Sequence, residues 1–376
     1  MKALIVIFVA CALLMILGGH YLLYESWIYF LHISDPAIEQ WLLIALGVLA
    51  ISFPATLGLV HWRENGITSW AYFFASCWLG IVWYIVLATV AVLLMMLVSD
   101  WFDIVVNISV VSLALLTIAL YFSAYGFWSA QYPRIRRITV RMPNLPESWI
   151  GRTAVQLSDV HLGAIHHIKF ARRVVNKVNK LRPDILFITG DIFDGAGREL
   201  GLLAKPFADI TPPLGTYFII GNHETYIGLD IVFKGLQEVL FTTLRDEAVD
   251  VDGVQVVGVD YHMPGKPRDV SNAVKLVDRA KPSIVLYHEP MIEAVDAFRA
   301  AGANLVLSGH THKGQMWPFG YITKALFKRY DCGLYVDGNF TQFTSTGVGT
   351  WGPPMRVGNR PEIVQITFER LEGATA

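Results

Sequence analysis

The residues of this chain that could carry out chemistry are concentrated in five short polar segments. The first, "SDVHLG" (Ser158–Gly163), places an aspartate and a histidine two positions apart, directly after an apolar run. Four more apolar runs end in the same abrupt way, in "DILFITGDIFD", "GTYFIIGNHE", "SIVLYHEP" and "ANLVLSGHTH". The candidate functional side chains in these segments are Asp159, His161, Asp191, Asp194, Asn222, His223, Glu224, His288, His310 and His312. Histidines and carboxylates without cysteine form a ligand set typical of manganese, iron or zinc sites.

The apolar runs before these segments predict buried β-strands. Each run is short and rich in β-branched or aromatic residues, and stretches such as His167–Pro183 between them have apolar residues at helical spacing. Side chains just beyond the carboxyl ends of strands in an α/β sheet meet at one edge of that sheet. A single segment of this kind would usually be an ordinary turn, but five in succession favour a metal site. The donors exceed the need of one ion, and two ions that share a carboxylate account for the excess.

Composition divides the chain into two parts. Of its 376 residues, 54% are hydrophobic and 16% are charged, and the mean hydropathy is +0.45. Residues 1–130 contain only Lys2 and Arg63 as basic residues. We therefore predict a transmembrane region over 1–130, a basic linker over 131–151 and a water-facing domain over 152–376. The net charge of −1 argues against a nucleic-acid partner.

The transmembrane prediction rests on four uncharged apolar runs, Ala3–Tyr24, Trp41–Val60, Trp70–Val98 and Ile104–Trp128. Each reaches the roughly 20 residues that a helix needs to cross the hydrocarbon core of a bilayer. The first run could instead be a signal peptide. Its length, the lack of a small-x-small cleavage site and the three runs that follow argue against that alternative. Because no charged residue lies within these runs, the predicted role of the region is anchoring.

The basic residues predict the orientation in the membrane. Lys2 precedes the first run, Arg63 lies between the second and third, and four arginines follow the fourth within 131–151, whereas the other two loops are acidic. By the positive-inside rule both termini are cytoplasmic. We expect a multi-pass protein of the inner (plasma) membrane with its water-facing domain in the cytoplasm.

The five polar segments together resemble the calcineurin-like metallophosphoesterases. The resemblance covers roughly Arg152 to Phe368, and the tail "STGVGTWGPPMRVGNRPEIVQITF" is similar to the membrane-linked bacterial branch of YkuE- and YaeI-like phosphodiesterases. The matching motifs are Asp159-x-His161, Gly190-Asp191-x-x-Asp194, Gly221-Asn222-His223-Glu224, His288 and Gly309-His310-Thr311-His312. The resemblance implies an α/β fold, a four-layer α/β/β/α sandwich over 152–376 preceded by four transmembrane helices, and a metal-dependent phosphoric ester hydrolase activity.

The resemblance also implies roles for single residues around two divalent ions, manganese, iron or zinc. The ligands it implies for the first ion are Asp159, His161, Asp191 and His312. Those for the second ion are Asp191, Asn222, His288 and His310. Asp191 would bridge the two ions, since one carboxylate has two oxygens. His223 would face the substrate and stabilise or protonate the leaving oxygen, with Asp194 or Glu224 fixing its orientation.

Two departures from the family pattern bear on the substrate. Asp194 is followed by Gly195-Ala196-Gly197, where protein serine/threonine phosphatases continue with Arg-Gly, which argues against a protein phosphatase. Lys313 follows His312 where the membrane-linked branch has glycine. Its ammonium group either contacts substrate phosphate or points into water.

Four membrane helices favour a substrate that is itself in the membrane, because a soluble substrate would not require an anchored enzyme. We expect a phosphodiester or pyrophosphate on a lipid. The stretch Phe319–Tyr335, "FGYITKALFKRYDCGLY", could rest on anionic lipid or could be a solvated loop. The alternatives are an anchored phosphodiesterase of soluble nucleotides and a non-catalytic membrane sensor with a metal-stabilised domain.

Overall fold

The computed structural model describes residues 2–195, 199–261 and 269–372. It separates into two units. The first consists of Met1–Trp128 with Gly352–Met355, and the second consists of Ser129–Trp351 with Arg356–Ala376.

The first unit contains the long apolar helices. Their bounds are α1 (Lys2–Leu31), α2 (Pro36–Trp62), α3 (Gly66–Trp101) and α4 (Ile108–Gln131). All four are long and apolar enough to cross a membrane, which confirms the predicted four-helix region. Helices α1 and α3 extend beyond the apolar runs seen in the sequence, so that Glu25 lies in the penultimate turn of α1 and Asp100 in the last turn of α3.

Polar side chains define the ends of these helices and connect them. The carboxylate of Asp35 accepts a hydrogen bond from the backbone N–H of Ala37 at 2.8 Å and caps α2. Between helices, the indole N–H of Trp78 donates to His20 Nε2 at 2.9 Å, and that of Trp27 donates to Thr89 Oγ1 at 3.0 Å. Such bonds connect helices that lack a hydrophobic driving force for association inside a bilayer.

The second unit is built on two six-stranded sheets. Its strands are β1 (Arg134–Met142), β2 (Thr153–Leu157), β3 (Ile185–Ile188), β4 (Thr216–Phe218), β5 (Phe241–Thr243), β6 (Glu247–Val251), β7 (Val254–Gly258), β8 (Ser283–Leu286), β9 (Leu305–Ser308), β10 (Gly333–Asp337), β11 (Phe340–Thr344) and β12 (Glu362–Arg370). Its helices are α5 (Ile168–Leu181), α6 (Leu200–Ala204), α7 (Asn222–Ile227), α8 (Leu229–Gly235), α9 (Ser271–Lys275), α10 (Ile292–Ala301) and α11 (Gly320–Phe327).

The strand orders place parallel strands at the centre of both sheets. One sheet has the order β1-β12-β2-β3-β4-β5, and the other has the order β10-β11-β9-β8-β7-β6. Strands β2 to β5 run parallel, as do β7, β8, β9 and β11. The register pairs Leu157 with Ile188 in the first sheet and Ile284 with Leu305 in the second. Parallel strands end at the same edge, and this arrangement sets the position of the loops that follow them.

Three hydrophobic clusters show that the sheets pack face to face with helices outside. The inner cluster joins both sheets and includes Phe187 from β3 and Phe343 from β11. One outer cluster contains Phe170 and Val174 of α5, and the other contains Phe298 of α10. Strands β3, β8 and β9 are buried along their whole length, as expected of strands covered on both faces. The predicted four-layer α/β/β/α sandwich is therefore confirmed.

The basic segment before the sandwich is part of it. Arg134–Met142, within the predicted linker 131–151, is strand β1 and pairs in parallel with β12. Val140 and Met142 are buried, while Arg134 and Arg141 pair with Glu362 and Glu369 of β12 at 3.1 Å. The apolar side chains between the arginines make this segment an edge strand. The boundaries 1–130, 131–151 and 152–376 stay a prediction as domain limits.

Candidate metal centre

The candidate ligands lie in the loops directly after five parallel strands. Strands β2, β3 and β4 lead to Asp159, Asp191 and Asn222 in one sheet, and β8 and β9 lead to His288 and His310 in the other. The sequence pattern predicted convergence at one edge of a sheet. In the structure the two packed sheets contribute from both sides, and the donors meet between their carboxyl ends.

The first group of donors consists of Asp159, His161 and His312, all buried, with ligand atoms within 4.8 Å of one another. The Nε2 atoms of the two histidines are 3.0 Å apart, and His312 Nε2 lies 3.3 Å from Asp159 Oδ1. The potential ligand atoms of three buried groups thus lie close enough together to hold one ion.

The second group consists of Asp191, His288 and His310. His288 Nε2 lies 3.2 Å from Asp191 Oδ2, and Asn222 Oδ1 lies 3.1 Å from His288 Nε2 and 2.8 Å from His310 Nδ1. The same Asp191 Oδ2 is 4.0 Å from His161 Nε2 in the first group. The structure therefore brings all seven sequence-predicted ligands together, with Asp191 between the two groups.

The donor chemistry fits divalent cations. Two imidazole nitrogens that face each other at 3.0 Å share at most one hydrogen bond, and carboxylate oxygens surround them. The buried Nδ1 of His161 has no hydrogen-bond partner among the described residues, so this ring is held through its Nε2 side. Nitrogen and oxygen donors without sulfur match manganese, iron or zinc.

The backbone of the site is held in an uncommon conformation. Asp159, His161, Asp191, His310 and His312 all have left-handed φ angles, between 48° and 68°. Such residues cost of order 1–3 kcal/mol each and persist only where the surroundings fix them. Hydrogen bonds between the loops do so here: Asp159 N donates to Gly190 O at 3.0 Å, and His310 N donates to Asp159 Oδ1 at 3.0 Å.

Two glycines permit the loops to approach so closely. A Cβ at Gly309 would overlap Ser158 Oγ and Asp159 Oδ2, and a Cβ at Gly221 would overlap Asp191 Oδ1. The glycines of the Gly-His-Thr-His and Gly-Asn-His-Glu motifs are therefore required by the contact of their backbone with carboxylate ligands.

Glu224 holds the Asp191 loop. Its buried carboxylate accepts hydrogen bonds from the backbone N–H groups of Gly221, Asp191, Ile192 and Phe193 at 2.8–3.2 Å. Burial, followed by the charge of Asp191, raises the pKa of Glu224 to about 7. Glu224 is one of the two carboxylates predicted to orient His223, but its oxygens bind backbone N–H groups instead.

Asp194 is the carboxylate that contacts His223. His223 Nδ1 lies 3.0 Å from Asp194 Oδ1, and the backbone N–H of His223 donates to Asp191 Oδ1 at 2.8 Å. Burial lowers the pKa of His223, but the charges of Asp191 and Asp194 raise it by more, to about 10. The side chain of His223 is 20% exposed, whereas those of His161 and His312 are buried. His223 can therefore reach a molecule that enters from solvent.

Charge compensation dominates the buried carboxylates and imidazoles. Burial by itself raises the pKa of Asp159, and the neighbouring His312 and His288 lower it by more, so that the pKa lies below its ordinary value. Burial lowers the pKa of His288, but the charge of Asp191 outweighs it and the pKa is about 9. The cluster is thus arranged for mutual stabilisation of negative carboxylates and positive charge.

Arg356 is a site residue that the sequence analysis missed. It is fully buried, its guanidinium donates to His312 O at 3.0 Å and Gly349 O at 2.6 Å, and its Nη2 atom lies 2.8 Å from His312 Nδ1. The bond to His312 O fixes this loop, and the guanidinium lies against the Nδ1 side of the ring, so that Nε2 faces Asp159 at 3.3 Å. Burial lowers the pKa of Arg356 to about 10. The only sequence signal was an arginine within the apolar segment "GPPMRVG".

The segment 345–350 covers the first donor group and was also missed. Val348 N donates to Ser158 O at 2.9 Å, and Gly349 N donates to Asp159 O at 2.8 Å. Buried His166 fixes the end of this segment, since its Nε2 lies 2.8 Å from Thr350 Oγ1. Burial lowers the pKa of His166 to about 3, so the ring is neutral.

The two departures from the family pattern lie at the edge of the centre. Lys313 has an exposed side chain, and its backbone N–H donates to Thr311 Oγ1 at 3.2 Å. Of the residues after Asp194, Gly195 N donates to Asp194 Oδ1 at 2.8 Å, and Ala196 and Gly197 lie outside the described residues.

The fold and the donor cluster define a class of protein, a metal-dependent phosphoester hydrolase with a four-helix membrane region. The family model for calcineurin-like phosphoesterases matches residues 153–314. An "Uncharacterized metallophosphoesterase" of Aquifex aeolicus is 34% identical over 264 residues, which are 67% of this chain and 98% of that protein. The chain belongs to the calcineurin-like metallophosphoesterase family.

Two further relatives show the same similarity. A "Transmembrane protein with metallophosphoesterase domain" of Danio rerio is 32% identical over 271 residues, 68% of this chain and 62% of that protein. The "Uncharacterized metallophosphoesterase YkuE" of Bacillus subtilis is 30% identical over 246 residues, 61% of this chain and 84% of that protein. The chain spans less than two thirds of the zebrafish protein. The predicted family resemblance is confirmed.

We expect replacement of Arg356 by methionine to weaken metal binding by about 10- to 100-fold, because the orientation of His312 is lost. Arg356→Lys keeps the positive charge but not the several N–H donors of the guanidinium, so its metal affinity should lie between those of the wild type and Arg356→Met. Arg279→Met, which removes an exposed guanidinium bonded to Ala300 O and Ala301 O, is the matched control. Titration with Mn²⁺ gives the affinity, and the melting temperature at saturating metal reports folding. Wild-type affinity in a folded Arg356→Met protein would contradict this role.

Proposed function

We propose that this protein is a membrane-anchored phosphodiesterase that uses two divalent ions to hydrolyse a phosphodiester or pyrophosphate bond on a lipid-borne substrate. The observation that carries the proposal is the position of Asp191 between two donor groups, with His223 beside them and open to solvent. A single ion would leave one of these groups without a cation.

The donor groups suggest which residues hold which ion. Asp191 is shared by both sites. The first ion is assigned to Asp159, His161, Asp191 and His312, and the second to Asp191, Asn222, His288 and His310. When bound, the ions supply Lewis acidity to the phosphoryl oxygens and lower the pKa of the attacking water. Asn222 contributes an oxygen without charge, which leaves the centre positive enough to attract an anionic ester.

The remaining side chains handle the leaving group. Asp194 accepts a hydrogen bond from His223 Nδ1, so the opposite ring nitrogen, Nε2, is the atom that donates a proton to the leaving oxygen. The backbone bond from His223 to Asp191 keeps the imidazole beside the shared carboxylate. Lys313, exposed next to His312, is available for the phosphate of a bound substrate.

Two substitutions separate metal binding from proton transfer. We expect Asp191→Asn to reduce metal content and abolish hydrolysis of bis-(4-nitrophenyl) phosphate in the presence of manganese, because both donor groups lose their shared charge. His223→Asn should retain metal, while kcat falls by about 10²- to 10⁴-fold. Elemental analysis and steady-state kinetics measure the two effects. Loss of metal in His223→Asn would show that His223 is a ligand and not a proton donor.

The membrane helices support a lipid-borne substrate. Four spans keep the catalytic domain within reach of lipid head groups, and anchoring confers no advantage with a freely diffusing substrate. An anchored phosphodiesterase of soluble nucleotides is the alternative that activity measurements must exclude.

The substrate class is tested with one ester in two forms. In proteoliposomes, a phosphodiester on a diacyl lipid should be hydrolysed with a kcat/KM well above that of the same head group on a short, water-soluble chain, because the bilayer concentrates the former at the enzyme. When the enzyme and the lipid ester are both dissolved in detergent, the ratio of the two kcat/KM values should become smaller. Equal kcat/KM values in proteoliposomes would contradict the proposed lipid-borne substrate but not the proposed phosphodiesterase activity.

The proposed location is the plasma membrane with the catalytic domain in the cytoplasm, because the basic residues follow the positive-inside rule. Green fluorescent protein fused after Ala376 should fluoresce in a bacterial host, since it folds only in the cytoplasm. Alkaline phosphatase, which is active only outside, should be active when fused after Asp35 and inactive after Ala376. The reverse pattern would invert the orientation.

A further inference from the structure

The segment from Trp317 to the end of helix α11 exposes an unusual number of large apolar side chains. The exposed fractions are 51% for Trp317, 70% for Tyr321, 56% for Ile322 and 64% for Leu326. Lys324 and Lys328 are exposed on the same segment. We refer to these six residues as the α11 surface. Single exposed apolar residues are ordinary, but several on two turns of one helix mark a contact surface.

The α11 surface is not needed for the core of the domain. The inner side of the segment is formed by Phe327 and Tyr330, which are buried. Ile322 and Leu326 are four residues apart and lie on one side of the exposed part of the helix, whereas Lys324 lies on the other side and Lys328 follows the end of the helix. Only a narrow side of this helix is buried against the domain. Its broad exposed side carries large apolar and cationic residues.

The α11 segment is fixed at both ends to the loop that carries His310 and His312. At its start, Gly314 packs so tightly on the backbone of Phe319 and Gly320 that no Cβ could be accommodated. At its end, Thr311 Oγ1 donates to Asp331 O at 2.7 Å, and the ring of Phe327 lies 6.0 Å from that of His310. A molecule that contacts the α11 surface is thereby held next to the metal centre.

We propose that the α11 surface lies against the anionic lipid of the membrane that the same chain spans, and that it delivers lipid head groups to the metal centre. The delivery step rests on the proposed function, whereas the lipid contact does not. Exposed tryptophan, tyrosine and aliphatic side chains flanked by lysines on one short segment match the composition of helices that lie in the bilayer interface. Lys324 and Lys328 match the negative charge of the cytoplasmic leaflet.

A second copy of this chain is the competing occupant of the α11 surface. Two copies that met symmetrically through it would bring like-charged lysines together, which is unfavourable without added anions. Arg329 contributes less to either contact, because Asp296 binds its guanidinium at 2.6 Å. The charge pattern thus favours lipid.

The position of α11 is measured with a spin label on the full-length protein in nanodiscs that contain phosphatidylserine. Cys11, Cys77 and Cys332 are first replaced by serine. A nitroxide on Leu326→Cys should be shielded from a water-soluble nickel chelate and accessible to oxygen. The matched control is Leu240→Cys, whose parent side chain is 89% exposed on another segment, and its label should remain accessible to the chelate.

The charge dependence gives a second, independent readout. Lys324→Gln and Lys328→Gln should each lower the ratio of lipid-contacting to free label at position 326 by roughly fivefold, from about 1 kcal/mol per lysine near an anionic surface. Lys180→Gln and Lys275→Gln, at exposed positions elsewhere, should leave the ratio unchanged. Phosphatidylcholine nanodiscs should reduce the ratio in the parent protein as well. Metal content and melting temperature confirm that each variant is folded.

Two results would overturn the proposal. The first is a label at position 326 that is as accessible to the chelate as the label at position 240. The second is dipolar broadening that rises with protein concentration, which would assign the surface to a second copy. Neither readout uses hydrolysis, so an enzyme that docks on lipid but cleaves no lipid ester would contradict only the proposed substrate.

Discussion

The carboxylate of Asp191 lies where two groups of buried donors meet, and the site is organised around its negative charge. One oxygen faces His288 at 3.2 Å and His161 at 4.0 Å, and the other accepts the backbone N–H of His223. A buried carboxylate is costly unless opposite charge compensates it. Either protonated imidazoles from the two sheets or the cations proposed between them supply that compensation, because an imidazole that binds a metal ion is neutral. Asp191 thus connects the two candidate donor groups, the backbone of His223 and the packing of the two sheets.

Two further buried charged groups hold the loops around this carboxylate. Glu224 accepts four backbone N–H groups near Asp191, and Arg356 donates to His312 and Gly349. These bonds stabilise the left-handed backbone of the ligand residues, which would be unfavourable in an unsupported loop. The loops of the candidate metal centre are therefore connected by buried hydrogen bonds, and the bond from Thr311 Oγ1 to Asp331 O connects them to the segment after α11.

Local pattern was sufficient for much of the fold. Apolar runs of strand length predicted β2, β3, β4, β8 and β9, and long uncharged runs predicted the four membrane helices. Both signals depend on residues next to one another in sequence, which is why they could be read without a structure. The arginines of the segment before the domain predicted a basic linker. Charge alone did not reveal that the alternating apolar residues Val140 and Met142 in it pack into a sheet as strand β1.

The sequence by itself determined the donor types, their places after strand ends and the family they define, because motif spacing and hydrophobic periodicity are local properties. Only the tertiary structure decided that the donors come from two sheets, and that Asp194 rather than Glu224 meets His223. It also decided that Arg356, 44 residues beyond His312, orients that ligand. These outcomes depend on packing and on competition for hydrogen bonds between distant segments. The hydrogen-bond partner of a buried polar group therefore cannot be predicted from the residues next to it in sequence.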